Sequence, residues 1–270
     1  MIADFTATQL MLKNLIGKVC KRYNVMKPRV VVGVPSGITE VEERAVEEAV
    51  LQAGAKEVYL MEEPMAAAIG AGLDVSEPSG SIIVDIGGGT TEVAVISLGG
   101  IVVSNSLRVA GDELDADITG YVKKELNLAI GETTAEQIKK QIGCAMPLMT
   151  DTPMEIRGRD LGTGLPKNVQ IYSSQVENAI EESVGEIVES VKQTLEKTPP
   201  ELASDIMEKG IVLAGGGALI QNLDKLLSVK TGMPVYVAEE PLECVVRGTQ
   251  KTIEDLERLK TVLINSRKTR

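Results

Sequence analysis

The stretch "SIIVDIGGGTTEVAVIS" (residues 81–97) constrains the fold more than any other part of the chain. An apolar run ends at Asp85, three glycines and two threonines follow, and a second apolar run begins at once. Short glycine turns between apolar runs are typical of antiparallel hairpins. With a third run after Gly99 and Gly100, the sequence predicts a three-stranded antiparallel meander with strands at residues 82–85, 92–98 and 101–107.

The residues before this stretch alternate between predicted strands and helices. "PRVVVGVP" is a continuous apolar strand, and the next segment is a helix with Thr39 as its cap and Gly54 as its stop. "EVYLM" is a second strand, and "EEPMAAAIGAGL" is a helix that tolerates Pro64 in its first turn. This alternation predicts an α/β fold with parallel strand pairing.

The residues after the meander continue the mixed pattern. Helices are predicted at residues 112–126, 133–143 and 175–197, with a polar hairpin and loop at 146–171. "GIVLAGGGALI" combines a strand, a glycine turn and a helix start, and "MPVYV" is a last strand. We therefore expect a βαβ-like first portion and a meander-plus-helices second portion, joined near "EPSG" (residues 77–80).

Composition excludes several kinds of chemistry. The 270 residues contain no histidine, so histidine-based triads, zinc sites and general bases are absent. A net charge of −11 argues against a nucleic-acid partner, because phosphate backbones need a basic surface. Three cysteines far apart fit reduced thiols in a cytoplasm. The N-terminus lacks the apolar core of a signal peptide, and no run of about 18 apolar residues is present to span a membrane.

The glycines of both motifs have two interpretations. Backbone N–H groups that converge without side chains can bind phosphate, and Asp85 at a strand end is placed to hold hydrated Mg²⁺. A Walker loop and a Rossmann fingerprint are excluded, because no Lys-Ser/Thr follows residues 87–89 and the next element is a strand. Alternatively, residues 87–89 form a tight turn without a ligand, and residues 215–217 form a closely packed strand–helix turn.

The order of the motifs favours the first interpretation. "EEPMAAAIGAG", "VDIGGGTTEVAVIS", "GDELD", "TAEQIKKQIG" and "IVLAGGGALI" occur in the order that is typical of the actin-like ATPase superfamily. "KPRVVVGVPSGITEVEERA", "VAGDELD" and "EKTPPELASDI" further resemble the MreB and Mbl rod-shape proteins of bacteria. The resemblance covers nearly the whole chain and is weakest after Val245. It implies an actin-like ATPase fold of two RNase H-like domains, the first truncated at its N-terminus.

The resemblance assigns domains and roles by position. It implies a remnant of domain I at 1–76, nucleotide-binding domain IIA at 77–112 and 179–252, subdomain IIB at 113–178, and a C-terminal helix at 253–270. ATP and Mg²⁺ are the implied cofactors. The implied metal ligand is Asp85, and the implied catalytic residues, which position water, are Glu63 and Thr90. The implied nucleotide-binding residues are Gly87, Gly88, Gly89, Thr90, Thr91, Glu136, Lys139, Gly215, Gly216 and Gly217.

Three of these positions also have ordinary structural explanations. Glu63 could be a first-turn acid favoured by the helix dipole, and Glu136 with Lys139 could be a surface ion pair. Val25 and Met26 match a loop that carries apolar residues to the membrane in this family, and they stand among basic residues. The same segment could be an ordinary loop.

The chain also departs from the family pattern. About 70 residues that open the family's first domain, including its first phosphate hairpin, are expected to be missing, which predicts weak nucleotide binding or none. "DLGTG" (residues 160–164) imitates that hairpin but is interpreted as a loop of subdomain IIB. Arg247 stands where a small residue is expected in a hinge helix.

The resemblance implies an ATP-binding cytoskeletal protein with weak ATPase activity. Such proteins form filaments at the inner face of the cell membrane, in the cytoplasm, and direct cell-wall synthesis and rod shape with the wall-elongation machinery. One alternative is a nucleotide-binding-defective fragment or paralogue. The others are a superfamily kinase, which needs a catalytic aspartate where "EEP" supplies glutamate, and a chaperone-type ATPase, for which no peptide-binding domain follows.

Overall fold

The computed structural model describes residues 5–20 and 27–264. The first elements are α1 (Phe5–Val19), β1 (Arg29–Val34), α2 (Glu40–Gln52), β2 (Glu57–Glu62) and α3 (Glu63–Gly70). Strands β1 and β2 pair in parallel, as the alternation of strands and helices predicts. Thr39 caps α2 in a reciprocal capping box with Glu42, and Pro64 lies in the first turn of α3, so both sequence predictions are confirmed.

The glycine-punctuated stretch forms the predicted meander. Strands β3 (Ser81–Ile86), β4 (Thr91–Ser97) and β5 (Gly100–Leu107) pair antiparallel. Two later strands, β9 (Ile211–Ala214) and β10 (Val235–Val237), extend the sheet in parallel beside β3, in the order β10-β9-β3-β4-β5. This five-stranded sheet is the central layer of the molecule, and β3 is buried along its whole length.

The two faces of β3 enter different cores. Ile82, Val84 and Ile86 pack into the larger core with the helices that follow the meander. Ile83 packs on the opposite face, with α3 and the C-terminal helices. Because side chains alternate along a strand, Asp85 shares the face of Ile83 and points toward α3.

Residues 111–172 form a small mixed layer. The elements are α4 (Gly111–Glu125), β6 (Leu128–Ala129), α5 (Glu132–Ile142), β7 (Pro153–Asp160) and β8 (Pro166–Tyr172). The polar segment predicted as hairpin and loop is therefore a hairpin of two full strands, to which β6 adds a short edge strand. "DLGTG" forms the turn of this hairpin, where the Asp160 carboxylate accepts hydrogen bonds from the Gly162 and Thr163 N–H groups.

The remaining helices cover the sheet and close the chain. They are α6 (Ser173–Glu196), α7 (Pro200–Lys209), α8 (Leu223–Thr231), α9 (Cys244–Glu254) and α10 (Leu256–Leu259), with 3-10 turns at Gly216–Leu219, Pro241–Glu243 and Lys260–Val262. The single C-terminal helix expected from residue 253 is instead broken at Asp255, whose backbone leaves the helical region. In the parts of the chain that the structure describes, no helix combines the length and apolar character needed to cross a membrane.

Helices α3 and α9 touch through their backbones. A Cβ on Gly70 would overlap with the Cys244 carbonyl group, and a Cβ on Gly248 would overlap with the Ala66 carbonyl group. The small residue expected in this helix is therefore present as Gly248. The expectation that Arg247 replaces it is wrong, because Arg247 points outward and forms ion pairs with Glu240 and Glu243.

Candidate functional site

A cavity of about 830 Å³ opens between the central sheet, α3, α4, α5 and the start of α9. This volume is within the usual range for sites that bind small molecules. Its lining combines glycines, carboxylates, lysines and apolar side chains. The lining residues are Glu63, Asp85, Gly87, Gly88, Thr90, Gly111, Asp112, Leu114, Asp115, Glu136, Lys139, Lys140, Gly215, Gly216, Gly217, Leu219, Ile220, Pro241, Leu242 and Val245.

The glycine hairpin between β3 and β4 forms the floor of the cavity. Its turn is closed by the Gly87 N–H, which donates to the Thr90 carbonyl oxygen at 2.9 Å. The carbonyl oxygens of Gly87 and Gly88 accept hydrogen bonds from the N–H groups of Gly111 and Asp112, at 3.1 and 2.8 Å. Two oxygens that would repel an anion are thus occupied by the first turn of α4, which leaves the hairpin suited to an anionic ligand.

Two predicted nucleotide-binding residues of the hairpin do not line the cavity. The Thr91 side chain is fully buried, and its hydroxyl donates to the Val109 carbonyl oxygen at 2.7 Å. This bond fixes β4 to the segment that leads into α4. Gly89 lies at the exposed tip of the turn, on the side of Asp112. Thr91 therefore stabilises the hairpin in this structure, and its side chain does not reach the cavity.

Asp85 lies at the end of β3, where the strand enters the hairpin. Burial, followed by the nearby charges of Glu63 and Glu92, raises the pKa of its carboxyl group to about 7. A Cβ on Gly215 would stand 2.6 Å from Asp85 Oδ1, so the glycine wall reaches the carboxylate closely. The site thus holds a buried carboxylate that a cation would stabilise in its ionised form.

Glu63 and Thr90 face the same cavity from different elements. Glu63 is the first residue of α3, and burial raises the pKa of its carboxyl group. Its stem lies against β1, because a Cβ on Gly33 would be 3.3 Å from Glu63 Cγ. Thr90 closes the hairpin. A carboxylate and a hydroxyl beside a phosphate-type turn can orient a water molecule for attack.

Glu92 is a buried carboxylate at the start of β4, next to Asp85 in the sheet. It pairs across the sheet with Asp85, and its Oε1 accepts a hydrogen bond from the Ser106 hydroxyl at 2.6 Å. Its second oxygen, Oε2, is buried without a hydrogen-bond partner among the described residues. Burial is the main reason that the pKa of Glu92 is raised. Glu63, Asp85 and Glu92 therefore form an acidic cluster under the cavity.

Lys139 and Glu136, both predicted to bind the nucleotide, have different partners in the structure. Lys139 turns inward and donates to the Asp115 carboxylate at 2.8 Å and to the Gly111 carbonyl oxygen at 2.7 Å. Glu136 forms an exposed ion pair with Lys140 at 2.6 Å. The surface pair between Glu136 and Lys139 is therefore not the one that forms. Lys139 instead connects α5 to the start of α4. Because the Gly111 N–H donates to the Gly87 carbonyl oxygen, this contact also connects α5 to the glycine hairpin.

Asp115 is a site residue that the sequence did not single out. Its side chain is 15% exposed, and its Oδ1 is buried without a hydrogen-bond partner in the described part of the chain. Burial raises its pKa, while Lys139 lowers it. The signal was present in "GDELD", where Asp115 stands three residues after Asp112 on one helical face. A hydroxyl group of a ligand could donate a hydrogen bond to Asp115 Oδ1.

The wall beside Asp85 consists of Gly215, Gly216 and Gly217, and the first and last of these positions admit no side chain. Gly215 has φ +78°, and a Cβ on Gly215 or Gly217 would overlap with Ile86 of β3. Apolar side chains continue this wall toward the rim. They are Leu219, Ile220, Pro241, Leu242 and Val245. Sequence reasoning missed these residues, because single apolar residues in turns carry no periodic signal.

The charges of the cavity favour a ligand that arrives with a cation. Five carboxylates and two lysines line it among the described residues. In residues 5–20 and 27–264, no group of three or more acidic, cysteine or histidine side chains is arranged to hold a metal ion. A carboxylate such as Asp85 suits Mg²⁺, which keeps most of its waters and shares phosphate oxygens of a ligand. The residues present therefore fit Mg²⁺ bound together with a phosphate.

The predicted membrane contacts, Val25 and Met26, lie outside the described residues. The structure therefore brings together Glu63, Asp85, Gly87, Gly88 and Thr90 at one end of the cavity. Glu136 and Lys139 line it from α5, and Gly215, Gly216 and Gly217 line it from the turn after β9, whereas Gly89 and Thr91 do not line it.

Comparison with solved structures defines the class of protein. The fold matches MreB5 of Spiroplasma citri bound to AMPPNP with a TM-score of 0.90 and 42% identity, over 96% of this chain and 78% of that one. It also matches a MamK double helical filament with a TM-score of 0.77 and 22% identity, over 93% and 75% of the two chains, which supports the fold alone. The predicted actin-like α/β fold is confirmed.

The sequence comparisons define the family within this class. The chain is 53% identical over 254 residues to the cell shape-determining protein MreB of Escherichia coli (strain K12), covering 94% of this chain and 73% of that protein. It is 47% identical over 258 residues to the cell shape-determining protein Mbl of Bacillus subtilis (strain 168), covering 96% and 78%. The model of the family described as "MreB/Mbl protein" matches residues 1–261 of this chain. The chain belongs to the MreB/Mbl family.

Proposed function

We propose that this chain binds ATP in the cavity and works as an actin-like cytoskeletal protein. The observation that carries the proposal is the shape of the cavity, which has a glycine hairpin and a buried Asp85 at its floor and the Gly215–Gly217 wall beside them. Such a floor suits phosphates, and such a wall lets a ligand approach the backbone closely. The related MreB5 was solved with ADP and with AMPPNP, which supports the same ligand class here.

In this proposal, each part of the cavity has one task. In the hairpin of Gly87, Gly88 and Gly89, the Gly88 N–H binds a terminal phosphate, the Gly87 N–H closes the turn on the Thr90 carbonyl oxygen and Gly89 forms the exposed tip. Thr91 holds the hairpin in shape. Glu136 and Lys139 lie on the ribose side, where Asp115 Oδ1 is available to accept a hydrogen bond from a ribose hydroxyl. Gly215, Gly216 and Gly217 face the base and the first phosphate.

Mg²⁺ would be held by Asp85 and would neutralise phosphate charge inside an acidic cavity. Glu63 and Thr90 orient the attacking water for slow hydrolysis of ATP. Glu63 suits this task because its carboxylate faces the cavity from the first turn of α3, and burial raises the pKa of this group. We expect a weak ATPase whose activity is coupled to assembly.

We further propose that the chain forms filaments at the cytoplasmic face of the cell membrane and guides cell-wall synthesis with the wall-elongation machinery. The support is membership of a family whose relatives are cell shape-determining proteins. We retain the proposed division into domain I (1–76), domain IIA (77–112 and 179–252), subdomain IIB (113–178) and a C-terminal segment (253–270).

Calorimetric titration of the 270-residue chain with ATP and Mg²⁺ tests the nucleotide proposal. We expect weak but saturable binding at one ATP per chain, and we expect Asp85→Ala to abolish the Mg²⁺-dependent part. Asp224→Ala, on a helix that does not line the cavity, is the matched control. Unchanged affinity of Asp85→Ala would contradict the metal assignment. A folded chain that binds no ATP would support the nucleotide-binding-defective alternative.

A further inference from the structure

Gly33 interrupts a run of valines in β1, although its backbone conformation does not require glycine. The strand reads RVVVGV, and the φ of Gly33 lies outside the left-handed region that favours glycine. Glycine in the interior of a strand weakens the strand, and it often marks a position that another group approaches closely. The missing side chain of Gly33 is therefore explained by its neighbours and not by a turn.

The side chains of Glu63 and Val245 lie against Gly33. A Cβ on Gly33 would be 3.3 Å from Glu63 Cγ and 3.6 Å from Val245 Cγ1. Glu63 is the first residue of α3, and Val245 lies in the first turn of α9. Both residues line the cavity, whereas Gly33 does not. Strand β1 and helices α3 and α9 thus meet around the methylene stem of Glu63.

Packing of its stem is what fixes the direction of the Glu63 carboxylate. Among the residues that the structure describes, none donates a side-chain or backbone hydrogen bond to this carboxylate, and burial alone raises its pKa. Glu92, by contrast, is held by the Ser106 hydroxyl at 2.6 Å. A stem of two methylene groups has several staggered rotamers, so a carboxylate without hydrogen bonds keeps one direction only where contacts exclude the others.

We propose that Gly33 and Val245 are positioning residues, which hold the stem of Glu63 between them and direct its carboxylate into the cavity. The inference rests on the proposed function, in which Glu63 orients the attacking water, and it extends that function to two residues that act through Glu63. Catalysis depends steeply on such placement, because a shift of about 1 Å can slow a reaction about a hundredfold. Nucleotide affinity should depend on it much less, because the phosphates bind at the glycine hairpin.

The test compares the rate of ATP hydrolysis with the affinity for ATP in the full 270-residue chain. Hydrolysis is followed as phosphate release from radiolabelled ATP at saturating Mg²⁺–ATP, and calorimetry gives the Kd for ATP. Gly33→Ala places a methyl group against Glu63 Cγ and should lower kcat about tenfold, with a change in Kd below about twofold. Gly100→Ala is the matched control in β5, since its Cβ would make an ordinary contact, 3.8 Å from the Ser97 carbonyl oxygen, and it should change neither quantity.

A Glu63→Ala background separates positioning from a merely structural role. If Gly33 acts through Glu63, Gly33→Ala should have no further effect on kcat in a chain that already carries Glu63→Ala. Val245→Ala removes the contact on the other side of the stem. It should lower kcat about threefold in the wild-type background and should have no effect on kcat in the Glu63→Ala background.

An unchanged kcat in Gly33→Ala would contradict the positioning role. A loss that persists in the Glu63→Ala background, or that is matched by an equal loss of ATP affinity, would show that Gly33 is merely structural. A wild-type chain that binds ATP without hydrolysing it would refute the role of Glu63 and the positioning role together. A wild-type chain that binds no ATP would refute the proposed function as well.

Discussion

Burial controls the protonation of Asp85, and it makes the stability of the ligand-free protein depend on pH. The pKa of Asp85 is raised from 3.8 to about 7. Since the folded chain holds this proton more tightly than the unfolded chain, the free energy of unfolding falls as pH rises from about 4 to about 7, and the loss is complete above that range. The neighbouring Glu63 and Glu92 act in the same direction, because burial also raises their pKa values.

Asp85→Asn removes the ionisable group while keeping its shape. Without nucleotide or Mg²⁺, we expect this variant to gain stability relative to wild type, with a gain about 2 kcal/mol larger at pH 8 than at pH 5. Urea unfolding at both pH values measures the difference. Asp224→Asn, whose carboxylate lies outside the cavity, should give equal results at the two values. A pH-independent effect of Asp85→Asn would show that Asp85 is ionised throughout.

The contact between α3 and α9 depends on the absence of side chains at a few backbone positions. Gly248→Ala places a methyl group against the Ala66 carbonyl oxygen. We expect a loss of at least about 2 kcal/mol in the free energy of unfolding, because neither helix can move away without disturbing its core. Chemical denaturation measures this loss.

Gly185→Ala is the matched control for that substitution. Gly185 lies in α6 and has no heavy atom within 4 Å of the added Cβ, so the change should stabilise the protein by about 0.5–1 kcal/mol. Equal effects at the two glycines would show that helix propensity, and not the approach of α3 to α9, determines the outcome.

Elements with a strong local signal could be predicted, and contacts between distant elements could not. The meander followed from glycine turns between apolar runs, and α2 followed from Thr39 as its cap and Gly54 as its stop. Strand β6 has two residues, which is too short to show any periodicity. Asp115 and Lys139 are 24 residues apart in the sequence and lie on two different helices, so only the folded chain brings their side chains together.

In the molecule as a whole, the polar floor of the site was predictable and its apolar rim was not. Glycine motifs and carboxylates at strand ends restrict the backbone and the charge, and these restrictions are visible in the sequence. Leu219 and Leu242 become site residues only because two turns meet. Likewise, only the folded structure shows that Gly248, and not Arg247, is the residue of α9 that contacts α3.

Membrane association is a property of the whole molecule that the sequence predicts through Val25 and Met26. Changing both to Ser should reduce co-sedimentation with liposomes that contain anionic lipid, because apolar insertion and basic neighbours act together. Val229→Ser, an exposed valine on α8, is the control and should leave the pelleted fraction unchanged. An unaltered pellet for the double variant would contradict the membrane assignment.

The backbone contact between α3 and α9 limits how the molecule can change shape. Helix α3 carries the chain from β2 to β3, and α9 packs against both α3 and β1, so both helices lie where the two-stranded and five-stranded sheets meet. Two helices in contact through glycines cannot slide past each other without a clash between Gly248 and Ala66 or between Gly70 and Cys244. Rotation about the crossing point is the degree of freedom that remains. Opening and closing of the cavity would therefore be a rotation about the point where α3 and α9 cross.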